Sequence, residues 1–212
     1  FSYYSNINIH GLDKTNILFK GSVGQSNWSD VPWMAFLDTI VTDSTLREYY
    51  VVYLFSADGN DVYLALGQGV TAVKEEFGRE WKNILHQRAN IIRARLPEYK
   101  NDFSDTPFDL KGDSSLSKAY GEAPAFYKKY SISNLPEEGE LHADLTKMLN
   151  LYSKLIFLGG TDLIETNNEE AEVFEDLTLL EKKRFRLHQK VEGRVNTTKV
   201  KKRKSRRKPN TT

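Results

Sequence analysis

Trp33, Tyr50 and Leu54 are the residues whose types and spacing point most directly to a chemistry. Tyr50 and Leu54 stand four apart in the run "YYVVYLF", and strand residues i and i+4 share a face. Trp33 belongs to "VPWMAFLD". There Pro32 fixes its own φ and biases Val31 toward an extended conformation, so "PWMAFL" reads as a neighbouring buried strand. An indole, a phenol and an aliphatic group converging on one side make a flat-walled slot. Such a slot suits a nucleobase, because stacking on an aromatic face is worth ~1–3 kcal/mol. The competing reading is that Trp28 and Trp33 are plain core, as tryptophan is highly buried on average.

Other chemistries find little support. The sequence has no Walker loop, no HExxH and no GxSxG. The four histidines, His10, His86, His142 and His188, are scattered, and the last three sit in charged helical stretches. Asp58 and Asp61 belong to a turn, and residues 169–176 read as the solvated start of a helix. A nuclease needs clustered acids with a Lys or His near a metal, and "DVYLAL" offers no such spacing. No catalytic residue, metal ligand or cofactor is expected, and the chain reads as a binder. With no cysteine, disulfides and thiolate chemistry are excluded.

The elements that must position these residues are legible in outline. Residues 16–21 read as a short strand, followed by a polar loop over 22–30. The runs 49–55 and 61–66 flank Asp58-Gly59-Asn60 and form a hairpin. The first run is apolar almost throughout and is expected to be buried on both faces. Apolar residues at three- and four-residue steps predict one amphipathic helix over 71–96, ended by Pro97. Residues 103–136 read as loop, though they carry Tyr120, Phe126, Tyr127 and Tyr130. A second helix is predicted over 140–158, stopped by Gly159-Gly160, and a third over 168–192, acidic at its start and basic at its end. The fold class is α+β: a small mixed or antiparallel sheet with a central hairpin, packed against two or three helices.

Charge divides the chain. The segment "KVKKRKSRRK", residues 199–208, holds eight basic residues and no acids, which leaves 22 basic against 29 acidic residues elsewhere, a net of −7. A nucleic-acid partner must then be met by a local basic patch or by the tail. No apolar run approaches the ~20 residues of a membrane helix. The organisation expected is a recognition domain over 1–165, a charged helix over 166–193 and a basic flexible linker or tail over 194–212.

Three ordered blocks carry a resemblance. These are "F-x-G-x-x-G-x-x-x-W-x-x-V-P-W-M-A-F-L", then "YYVVYLFSADGNDVYLALG", then "YSKLIF" after a helix. Together they resemble the McrB-like amino-terminal DNA-recognition domains of modification-dependent restriction systems, over residues 16–158. The resemblance implies recognition of duplex DNA carrying 5-methylcytosine or a related base, flipped into a pocket walled by Trp33, Tyr50 and Leu54. It also implies a loop of Ser22, Gly24, Gln25, Ser26 and Asn27 that contacts DNA. At the position of the family's base-displacing tyrosine this chain has Gln25, which lacks a ring but can hydrogen-bond an orphaned base. Lys20, Lys201, Lys202 and Arg203 are expected to make non-specific phosphate contacts. The implied partner domain is a nuclease or a nucleotide-driven motor, in cis or in trans, in a prokaryotic cytoplasm. The alternatives are a protein-interaction domain using residues 120–130 and the acidic helix, or a nuclease in its own right.

Overall fold

The two runs around Asp58-Gly59-Asn60 pair as a hairpin of β3 (Tyr49–Phe55) and β4 (Asp61–Gln68). The structure, a computed structural model, describes residues 14–23 and 31–160. Gly59 supplies the positive φ of 72° that the turn needs. The Asp58 carboxylate accepts from Ser56 Oγ at 2.6 Å and from the Asn60 N–H at 3.1 Å, which closes the turn. Strand β2 (Trp33–Asp38) pairs with the free edge of β3, and β1 (Ile17–Ser22) pairs with β2. Strand β5 (Phe126–Ser131) completes a five-stranded sheet in the order β1-β2-β3-β4-β5, antiparallel at every step. The α+β class expected from sequence is the one observed.

The helices depart from expectation in two places. The stretch expected as one helix over 71–96 is two, α1 (Val70–Phe77) and α2 (Trp81–Arg95), joined by a 3-10 turn at Gly78–Glu80. Gly78 adopts φ 54°, which ends the first helix in spite of the continuing apolar period. The stretch expected as loop contains α3 (Ser115–Glu122) as well as β5. Ser114 Oγ caps α3 by accepting the Ser117 N–H at 3.0 Å. Helix α4 (Glu138–Phe157) matches its expectation and stops at Gly159 and Gly160, with φ 84° and 71°. The helix expected over 168–192 lies outside the described residues.

Helix α4 packs on β3 and β4. The Tyr152 ring meets Tyr49 edge-on at 6.0 Å, and its oxygen accepts the Asp38 N–H at 3.1 Å. The Tyr130 hydroxyl donates to Asp144 on α4 at 2.9 Å, and Lys128 reaches the same carboxylate at 2.7 Å. Helices α1, α2 and α3 form a second apolar cluster through Val73, Leu85 and Ala119. Gln68, at the end of β4, ties this cluster to the sheet: its Nε2 donates to the carbonyls of Leu85 and Ala123 at 3.1 and 2.6 Å. On the face of β3 that carries Tyr50, the cover comes from Phe108, Leu110 and Tyr120.

Two predictions follow from this packing. A Cβ on Gly121 would stand 2.0 Å from the Phe108 carbonyl oxygen, whereas one on Gly139 would meet nothing within 4 Å. Helix propensity alone favours alanine at both sites by ~1 kcal/mol. Gly121→Ala is therefore expected to destabilise by about 1–3 kcal/mol, and Gly139→Ala to be neutral or stabilising, as read by urea unfolding. The second concerns alkaline pH. Burial raises the pKa of Tyr130 above the ordinary 10.0, with Asp144 adding to the effect, and burial raises that of Tyr152 well above it too. Folded-state values above the unfolded value mean that this stability is fully present below pH 10 and is lost as pH rises beyond it. The tyrosinate absorbance that Tyr130→Phe and Tyr152→Phe remove is expected to appear together with unfolding, above pH 10. Ionisation of these tyrosines near pH 10 in a folded protein would contradict the assignment.

Candidate nucleic-acid interface

The antiparallel register lines up side chains across the sheet in rows. Ser22, Trp33, Leu54, Tyr63 and Lys129 form one row through all five strands. The next row on the same face is Lys20, Ala35, Val52, Ala65 and Tyr127. Beyond it Tyr50 stands opposite Gly67. Trp33 and Leu54 are therefore direct cross-strand neighbours. Tyr50 shares their face about 13 Å further along β3, four residues of strand rise. Between the rings lie the short side chains Ala35, Val52 and Ala65. All three aromatic and aliphatic groups belong to one apolar layer, with Trp33 packed at its margin. Tyr50 and Leu54 are each only 4% exposed, while Trp33 is half-buried, so Trp33 is the member that reaches the surface.

Tyr50 is held at its far end. Its hydroxyl donates to the Thr45 carbonyl at 3.0 Å. Burial, and secondarily Tyr120, push its pKa far up, so the hydroxyl stays neutral and remains a donor. At the other side of the face Tyr63 stacks on Phe108, with centroids 4.2 Å apart and planes within 9°. Tyr127 leans on Phe108 at 4.5 Å. Lys129 lies 5.8 Å from the centre of the Tyr63 ring and pairs with Asp61 at 2.8 Å. Phe108 and Tyr127 are residues that sequence reasoning placed in a loop. The alternation in "FYKKYS", which leaves Phe126 and Tyr130 buried and Lys129 exposed, was the available signal.

Of the DNA-contact residues expected from sequence, Ser22 lies on β1 opposite Trp33. Lys20 is exposed on the same face, its ammonium donating to the Asp43 carbonyl. Gly24, Gln25, Ser26 and Asn27 lie outside the described residues, as do Trp28, Lys201, Lys202 and Arg203. Because Ser22 pairs with Trp33, the chain leaves and rejoins the sheet at the row that carries the indole. His86 contacts Glu122 at 3.1 Å on the surface, and His142 lines a shallow cleft with Tyr99 and Lys147. Among the described residues there is no group of three or more His, Asp or Glu able to hold a metal ion, and no helix is long and apolar enough to cross a membrane.

Two similarities to known proteins bear on this face. A curated relative, the dITP/XTP pyrophosphatase of Aquifex aeolicus (strain VF5), is 30% identical over 116 residues, which are 53% of this chain and 54% of that protein. The chain thus spans about half the length of that relative. The second match is to a family model described as the MrcB-like, N-terminal domain, over residues 5–156. That span takes in the whole five-stranded sheet, α1 to α3 and nearly all of α4. The face that carries Trp33, Tyr50 and Leu54 is therefore a face of the matched region, and the chain belongs to the MrcB-like N-terminal domain family.

Proposed function

We propose that this chain recognises duplex DNA carrying a modified cytosine, as the targeting module of a modification-dependent restriction endonuclease. The observation that carries the reading is the shared face of Trp33, Leu54 and Tyr50, with small side chains between the rings. Membership of the MrcB-like family supports the DNA partner. In this reading the modified base leaves the helix and inserts past Trp33, the half-buried wall, toward Tyr50. The unstacking costs a few kcal/mol and is offset by stacking and by contacts to the base edge. Ser22, Gly24, Gln25, Ser26 and Asn27 fill the space beside the displaced base and donate to phosphates, where glycine lets the backbone come close. Lys20, with Lys201, Lys202 and Arg203 of the tail, adds sequence-independent, salt-sensitive attraction. Cleavage belongs to a nuclease or motor domain, in cis or in trans, in a prokaryotic cytoplasm.

Burying the 5-methyl group is worth ~0.8 kcal/mol, or about fourfold in affinity. Duplexes matched except for one 5-methylcytosine, compared at fixed salt, are expected to differ by about fourfold or more, the modified one binding tighter. Trp33→Ala is expected to cost the modified duplex about 1–3 kcal/mol and to remove the preference. Equal affinity of the wild-type chain for both duplexes would contradict modification readout. Equal weakening of both by Trp33→Ala would assign the indole to the fold instead. The pyrophosphatase similarity favours a second reading, hydrolysis of a nucleoside triphosphate. Release of pyrophosphate from dITP in the presence of Mg²⁺ would establish it.

A further inference from the structure

We propose that Gly67 is a positioning residue that sets the stance of the Tyr50 ring, and through it the size of substituent that the slot accepts on a pyrimidine. This inference rests on reading the Trp33–Leu54–Tyr50 face as the base slot.

Glycine in the middle of a strand weakens it and marks a close approach of some other group. Gly67 lies inside β4, and its φ is not in the left-handed region that would require glycine. Conformation therefore does not explain it, and space does. A Cβ at position 67 would stand 3.3 Å from Cε2 and 3.8 Å from Cδ2 of Tyr50, and 3.1 Å from Cγ1 of Val52. One edge of the Tyr50 ring thus rests on the bare backbone of its cross-strand partner. The other same-face pairs of this ladder, Val52 with Ala65 and Leu54 with Tyr63, have side chains on both members.

Two contacts then define the ring. Its inner edge lies on Gly67 and its hydroxyl is tied to the Thr45 carbonyl at 3.0 Å. Val52 is β-branched, stiff at χ1 and 3% exposed, so it yields little. A methyl group at position 67 presses on Val52 as well as on the ring, and the ring gives by a few tenths of an ångström. The movement is away from Gly67, into the space at the Tyr50 end of the slot, and it narrows that end.

The test uses the full chain and three matched duplexes at fixed salt, carrying cytosine, 5-methylcytosine or 5-hydroxymethylcytosine at one site. Gly67→Ala is expected to lower the affinity ratio of the hydroxymethylated to the methylated duplex by about threefold or more, a small part of what one extra group is worth in a tight pocket. In a Tyr50→Leu background the same substitution is expected to leave that ratio unchanged, because the effect passes through the ring. A ratio unmoved by Gly67→Ala, or a shift that persists without Tyr50, overturns the proposal while the base-slot reading stands. A wild-type chain indifferent to modification overturns both. Should Gly67→Ala fail to fold, Tyr50→Phe supplies the second arm. It releases the outer end of the ring and is expected to raise the ratio of the larger substituent, and no change there overturns the proposal.

Discussion

A slip of one residue between β2 and β3 would turn Tyr50, Val52 and Leu54 to the opposite face of the sheet. The register that prevents this is the constraint on which the rest depends. Strand β3 is buried on both faces, so either slip would drive polar or mismatched groups into one of two packed layers. Tyr49 and Val51 are committed to the layer under α4, where Tyr49 meets Tyr152. Tyr50, Val52 and Leu54 are committed to the other layer. The hairpin turn fixes the β3–β4 pairing independently, through Gly59 and the Asp58 carboxylate. With the β2–β3 register, these restraints set the row Trp33, Leu54, Tyr63, and the β1–β2 and β4–β5 pairings extend it to Ser22 and Lys129.

The two layers are held by different means. Helix α4 is fixed by polar groups at its flanks, where Tyr130 and Lys128 share Asp144 and Tyr152 meets the Asp38 amide. Along the same helix Leu149, Leu151 and Leu155 are fully or almost fully buried. Among the described residues the opposite layer has no long helix. It is covered by the segment around Phe108 and Leu110, which is anchored by backbone bonds from Ala57 to Leu110 and from Phe108 to Gly121. A cover made of side chains and a short segment gives the sheet a rigid floor and a margin where an aromatic group can stand half in solvent. Trp33 occupies that margin.

Much of this was legible in the sequence. The hairpin, the buried character of β3, the Pro-Trp strand and the stop of α4 each rest on local chemistry that tertiary context does not override. The break between α1 and α2 was not legible from periodicity, because Val73, Phe77, Trp81 and Leu85 continue the apolar step across Gly78 while the backbone does not. Strand β5 was hidden for a related reason. It is an edge strand with lysines at two of its six positions, and Pro124 and Ser133 lie just outside it. The alternation of its apolar residues is short, and only pairing with β4 makes it decisive. For the site, the four-residue spacing of Tyr50 and Leu54 was sufficient to put them on one face. That Trp33 stands opposite Leu54 rather than Tyr50 depends on register, which no local pattern encodes.

The measurement that tests the central claim most directly is a structure of the chain bound to a duplex with one 5-methylcytosine. The account predicts that base outside the helical stack, its ring against the Trp33 indole and its methyl group directed into the layer that holds Leu54 and Tyr50. A bound duplex with every base stacked, or an extruded base lodged on any other surface of the domain, would contradict it.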